Sequence, residues 1–161
     1  MENIGSFSVD HTKLLPGLYV SRKDKIGDNV LTTFDIRITC PNHDLYIDPK
    51  AMHTIEHIGA VYLRSHPSWG DKVVYFGPMG CMTGCYLILK GDLTPMEVLP
   101  LVRETFSCIA DYDGRIPGCS ARQCGNYRFH DLLIAKVHAE CYVRDILDKI
   151  TDENIKYPMT I

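Results

Sequence analysis

Two runs near the start of the chain, LYVSRKDKI at residues 18–26 and VLTTFDIRITC at 30–40, are rich in β-branched and aromatic residues. Gly27-Asp28-Asn29 separates them, and the pattern predicts a β-hairpin that Pro41-Asn42 closes. From Asp48 the period changes. Asp48 is a capping residue with proline at the first helical position, and Ala51, Ile55, Ile58, Val61 and Tyr62 recur at helical spacing to about Ser65. Two more strand-like runs, KVVYFG and CYLILKG, flank the turn PMGCMTG. Thr94-Pro95 opens a second helix through about Ala110, with Met96, Leu99, Val102, Phe106 and Ile109 on one face. A loop rich in glycine, DGRIPGCSARQCGN, precedes a final helix spanning roughly Tyr127 to Ile150. The order β-β-α-β-β-α-α predicts an α+β fold: a mainly antiparallel sheet covered by helices on one face, in a single domain over 1–161.

Composition narrows the partners. The net charge of −3 is spread along the chain with no run of Lys or Arg, which argues against nucleic acid. Apolar runs fall far short of the roughly 20 residues that cross a bilayer, and the segment MENIGSFSVDHTK has no signal-like apolar stretch. The expectation is a cytoplasmic protein with no membrane partner. Seven cysteines, an odd number spread from Cys40 to Cys141, do not resemble a disulfide framework. In a reducing compartment, thiols that are not merely buried become candidates for metal ligation or reactivity.

The segment carrying most chemical information is His53-Thr54-Ile55-Glu56-His57, inside the first predicted helix. Helical residues four apart share a face with Cβ atoms roughly 5–6 Å apart, so two imidazoles can converge on one cation. Glu56 borders that face and is placed to orient a ligand or move protons. HxxEH is an inverted zinc signature, and its bland alternative is a pair of solvated or core histidines on an amphipathic helix. A catalytic metal needs a third ligand and an open position. Cys108 and Cys141, within predicted helices, read as buried hydrophobes, as does Cys85 in its strand; Cys40 is undecided. Cys119 and Cys124 share the glycine-rich loop, and Cys124 stands nearer the last helix, whose N-terminal dipole favours thiolate. That leaves Cys124 only modestly ahead of Cys119. His43, His66, His130 and His138 lack a partner at ligand spacing and read as surface or packing residues. Cys81, in Gly77-Pro78-Met79-Gly80-Cys81, is either a structural turn residue or a thiol exposed enough to react beside a cation.

Five segments together resemble the LuxS family: SFSVDHTKL at 6–14, DIRITCPN at 35–42, HTIEH at 53–57, PMGCMTGCYL at 78–87 and QCGNY at 123–127. The resemblance runs almost end to end and implies His53, His57 and Cys124 as metal ligands, with Glu56 and Cys81 as the acid–base pair. It implies substrate contacts from Ser6, His11, Arg37 and Arg64, with Arg37 as the cation that lowers the Cys81 pKa. Tyr75, Met82 and Cys85 depart from the family's pattern. The activity implied is S-ribosylhomocysteine lyase, giving homocysteine and 4,5-dihydroxy-2,3-pentanedione, an autoinducer precursor. Fe2+ is the implied cofactor, with Zn2+ or Co2+ able to substitute, and a homodimer the implied assembly, with active sites at its interface. Two other readings are weighed against this. A metallopeptidase using Glu56 as general base would add a carboxylate ligand and a long cleft, and a structural or storage module would close its site with four protein ligands. The sequence offers neither pattern.

Overall fold

The glycine between the first two runs turns the chain as its sequence predicts. Strands β1 (Gly17–Ile26) and β2 (Asn29–Arg37) pair antiparallel, with Ile26 opposite Asn29 and Gly27 at φ 58° between them. A positive φ costs glycine little because it has no Cβ. In this computed structural model, which describes residues 8–159, β3 (Val73–Pro78) and β4 (Gly84–Lys90) complete one four-stranded sheet. Its order is β1-β2-β4-β3 and every pairing is antiparallel. Three helices join it: α1 (Pro49–Ser65), α2 (Pro95–Ala110) and α3 (Leu132–Asp145). The architecture is the expected α+β arrangement with helices over one face.

The strand period decides which side chains meet those helices. Phe34 and Ile36 of β2 lie opposite Leu87 and Cys85 of β4, and all four are fully or almost fully buried. Cys85 Sγ sits 3.4 Å from Met52 Sδ, which identifies this face as the one under α1. Asp35 and Arg37 alternate with Phe34 and Ile36 and therefore point to the other face. Closer packing of α1 on β3 depends on Gly59, where a Cβ would fall 2.5 Å from the Phe76 ring. Phe106 of α2 meets Tyr142 of α3 edge-on at 4.9 Å, and the Tyr142 hydroxyl donates to the Gly17 carbonyl at 2.8 Å.

Helix starts follow their caps. The Asp48 side chain accepts from the Lys50 N–H, and Thr94 with Glu97 forms a capping box. The last helix is shorter than expected. It begins at Leu132 because the Asp131 side chain caps the Ile134 N–H, while the Asp131 N–H is held by Lys50 O and Thr54 Oγ1. Residues 120–130 before it form turns and irregular backbone, so Cys124 does not sit at a helix N-terminus. Cys141 is exposed and Cys108 half-buried, contrary to the reading of both as buried. The reason is narrow burial: α3 turns in only Ala135, Ala139 and Tyr142, and Cys141 lies off that stripe. Among the described residues no helix is long and apolar enough to cross a membrane.

Ile55, fully buried between α1 and the sheet, tests how much that docking contributes. Ile55→Ala is expected to lower the unfolding free energy by about 2–5 kcal/mol, read by urea denaturation of the metal-free protein.

Candidate active site

Helix α1 turns its solvent-side face toward a loop that carries thiols and carbonyl groups. His53 and His57, one turn apart, meet with ring centroids at 4.5 Å, and Cys124 Sγ lies 3.5 Å from His53 Nε2. Each imidazole is fixed from behind: His53 Nδ1 is 2.7 Å from the Phe129 carbonyl and His57 Nδ1 is 2.7 Å from the Pro117 carbonyl. A carbonyl can only accept, so both Nδ1 atoms carry hydrogen and both Nε2 atoms present lone pairs. Gly118 allows this approach, since it adopts φ 67° and a Cβ there would fall 3.3 Å from His57 Nδ1. The Cys124 sulfur accepts from the Asn126 N–H at 3.4 Å, a contact made within the loop and not at a helix terminus.

His130 belongs to the same group, which corrects its reading as a remote surface or packing residue. Its ring stacks on His53 at 4.1 Å and meets His57 edge-on at 4.8 Å. The Thr54 hydroxyl gives its one hydrogen to Lys50 O and accepts from the Asp131 N–H, leaving it able only to accept from His130 Nδ1 at 3.2 Å. His130 Nε2 therefore also bears a lone pair, and it is buried with no hydrogen-bond partner. Burial, then the neighbouring His53 and His57, lower the His130 pKa to about 4, so the ring is neutral at pH 7. The ligand-type atoms of His53, His57, Cys124 and His130 all lie within 4.8 Å of one another. Three imidazole lone pairs and a thiol sulfur aimed inward, one nitrogen orphaned, are a donor set suited to a divalent cation.

Cys119 stays apart, its thiol donating to the Tyr127 carbonyl at 3.0 Å. Glu56 is half-buried and makes no hydrogen bond among the described residues, leaving its carboxylate available. His43 and His66 are engaged at the surface, by Thr12 O and by Glu104.

The second constellation surrounds Cys81, in the turn between β3 and β4 that Met82 completes at φ 57°. Arg37 and Asp35, both buried, form a two-point ion pair through Nη2–Oδ2 at 2.6 Å and Nε–Oδ1 at 3.1 Å. That fork leaves Arg37 Nη1 facing Thr83 Oγ1 at 2.6 Å and Cys81 Sγ at 3.7 Å. Thr83 Oγ1 is also 3.1 Å from the sulfur. Burial alone would raise the Cys81 pKa. Contacts from the Thr83 hydroxyl and backbone, with the Arg37 charge, outweigh burial and hold the thiol below its ordinary value. Cys85 is the opposite case, pushed up by complete burial and by the Glu56 and Asp35 charges. His11, Arg37, Cys81 and Thr83 line a cavity of about 370 Å³.

Not every expected residue is brought together. Arg64 donates to the Val73 and Val74 carbonyls and does not line that cavity. Ser6 lies outside the described residues. No hydrogen bond joins the Cys81 group to the His53 group among the described residues. Tyr75 is half exposed, its hydroxyl filling the space a side chain at Gly77 would need. Sequence reasoning missed His130, Thr83 and Asp35. Only Thr83 carried a signal, its place two residues after the turn thiol.

A family model described as S-Ribosylhomocysteinase (LuxS) matches residues 4–153. The chain belongs to the LuxS family. Among curated LuxS relatives, the S-ribosylhomocysteine lyase of Desulfotalea psychrophila is 53% identical over 158 residues, covering 98% of this chain and 99% of that protein. The lyases of Phocaeicola vulgatus and Clostridium beijerinckii are 49% and 51% identical, each over 98% of this chain and over 98% and 99% of their own lengths.

Of the two cysteines in this loop, Cys124 joins the imidazole group and Cys119 does not, so their loss should differ. Cys124→Ala is expected to abolish the thiolate-to-metal absorption band on titration with Co2+, while Cys119→Ala retains it. Loss of the band in the Cys119 variant alone would reverse the assignment.

Proposed function

We propose that this LuxS-family chain is an S-ribosylhomocysteine lyase that releases homocysteine and 4,5-dihydroxy-2,3-pentanedione, the precursor of a signalling molecule. The observation that carries this reading is the convergence of Cys124 with His53 and His57 of the helix that also carries Glu56, whose carboxylate makes no hydrogen bond among the described residues, in a chain about half identical to curated lyases. In this reading His53, His57 and Cys124 hold the cation, ferrous iron, and zinc or cobalt suits the same mixed nitrogen and sulfur donors. When bound, such a cation supplies a Lewis acid for negative charge developing on the sugar oxygens.

The chain's own groups move the protons. Cys81 as thiolate takes the proton from carbon beside the sugar carbonyl. The Thr83 hydroxyl and backbone and the Arg37 charge outweigh burial and lower its pKa, which favours the thiolate this step needs. Glu56, next to the cation's ligands, moves protons on the substrate oxygens and returns one to the departing homocysteine sulfur. The sum is redox-neutral: the carbonyl migrates by paired proton shifts, the C–S bond breaks, and the electrons of that bond leave on sulfur. His11 and Arg37, at the cavity by Cys81, bind substrate together with Ser6; Arg64 joins them by releasing its two β3 carbonyls.

A homodimer completes this site. Arg37 faces the sheet side away from the helices, whereas His53 and His57 sit on a helix packed on the other side. In our reading the Cys81 group of one copy meets the metal group of a second. Free thiols throughout fit a cytoplasmic location.

His130 favours one other reading, since a fourth inward lone pair would close the site as a structural metal centre. The two differ in turnover. The lyase reading requires metal-dependent release of thiol from S-ribosylhomocysteine; metal-dependent folding without thiol release would establish the structural one.

Glu56→Gln is expected to keep the metal and lose about 10²–10⁴-fold in turnover, because the amide keeps the shape but exchanges no proton. Stoichiometric metal loss would instead make Glu56 a ligand. Cys81→Ala should bind substrate and metal yet release no homocysteine. In wild type Cys81 should alkylate faster than Cys85 and Cys108, and substrate should protect it.

A further inference from the structure

The Asp35–Arg37 pair reaches beyond the sheet to the end of the described chain. Tyr157 places its hydroxyl 2.7 Å from Asp35 Oδ2, the same oxygen that Arg37 Nη2 meets at 2.6 Å. Burial and the Asp35 carboxylate hold the Tyr157 phenol above its ordinary pKa, so the hydroxyl is the donor. Tyr157 is itself fixed: its ring stacks on Tyr19 at 4.8 Å and 12°, and the next residues pair with the N-terminal segment. Val9 bridges to Met159, and the Asp10 N–H donates to Pro158 O at 2.8 Å. Tyr157 lies past residue 153, where the match to the family model stops.

We propose that Tyr157 is a positioning residue for Cys81: its hydroxyl anchors Asp35, which holds the Arg37 guanidinium with Nη1 toward the thiol. Asp35 occupies Arg37 Nε and Nη2 and so leaves Nη1 as the edge that meets Thr83 and Cys81. A carboxylate with no other donor would be free to turn about its own bond and carry the fork with it. The phenol also withdraws negative charge from Asp35, leaving more of the Arg37 charge effective at the sulfur. Both effects act in the same direction on the thiolate. The other ionisable groups near Cys81 are Tyr86 on β4 and, across the cavity, His11, Asp44 and Tyr46. Tyr86 lies opposite Asp35 in the β2–β4 register and feels its charge, but among the described residues no hydrogen bond joins any of these four groups to the Asp35–Arg37 fork.

The catalytic consequence rests on Cys81 being the proton acceptor proposed above; the positioning itself does not. Tyr157→Phe keeps the ring and its stack but removes the hydroxyl. Alkylation of Cys81 by iodoacetamide, followed in the metal-loaded protein across roughly pH 5 to 10 by mass spectrometry of its peptide, reads the thiolate directly. The expected result is a midpoint raised by about half to one pH unit, with labelling at pH 7 slowed about 3–10-fold. Tyr19→Phe is the control, because Tyr19 lies opposite Asp35 in the β1–β2 register yet its hydroxyl bonds the Leu15 and Glu153 carbonyls and makes no hydrogen bond to Asp35. Its midpoint should stay at the wild-type value even if its Tm falls. An unchanged midpoint in Tyr157→Phe, or an equal shift in Tyr19→Phe, overturns the proposal. A shift confined to Tyr157→Phe in a protein that never releases homocysteine would uphold the positioning and reject the lyase reading.

Discussion

Strand β2 is buried on both faces from Phe34 to Arg37, and that constraint organises the molecule. A strand sends successive side chains to opposite sides, so a segment covered twice must satisfy two unlike environments at a two-residue period. Phe34 and Ile36 meet the apolar layer under the helices. Asp35 and Arg37 enter the other side, where charge has to be paired and hydrogen-bonded to be tolerated. Removing one partner of such a pair leaves a buried charge uncompensated, which is far costlier than losing both. The apolar half supports α1 and with it His53 and His57. The charged half supports Cys81. One strand thereby underlies both constellations without lending either a residue of the wrong polarity.

The group of His53, His57, Cys124 and His130 has a different origin. Its residues come from a helix and from a loop more than sixty positions away, and what joins them is backbone of no regular structure. Asp131, held by Lys50 O and Thr54 Oγ1, sets the far end of that loop against the first turns of α1. The carbonyls of Pro117 and Phe129 then fall behind the two imidazoles and fix which nitrogen faces inward. A ring hydrogen-bonded at Nδ1 need not choose its tautomer or rotamer when a ligand arrives, so that ordering is completed during folding.

What could be read in the sequence tracks how local each feature is. The strands, the Gly27 turn and the starts of α1 and α2 depend on neighbours within a few residues, and all lie close to their expected limits. The start of α3 did not, because Asp131 acts as a cap only when α1 has already claimed its N–H. His53 and His57 were legible because four residues on a helix is itself a distance. His130 was not, since nothing near it in sequence announces a contact 76 or 77 positions back. The Arg37–Cys81 contact, 44 positions apart, was not legible from any spacing: the family resemblance offered Arg37 only as a cation able to lower the Cys81 pKa, Thr83 had only its place two residues after the thiol, and Asp35 had no cue. Cys141 shows the converse failure: a helical thiol looks buried until the helix is seen to bury only one narrow stripe.

The loop from Pro117 to Phe129 deserves reading as a clasp. It contains no strand or α-helix, and the two imidazoles it surrounds tie down both of its ends while Cys124 sits between. Its order is therefore borrowed from side chains that belong to another element. Damage to either histidine would release not one donor but an end of the segment that carries the sulfur, and susceptibility to proteolytic nicking would rise with it. A cation held there, as proposed above, and the loop would protect each other: one would shield the backbone from cleavage, the other the ion from chelators.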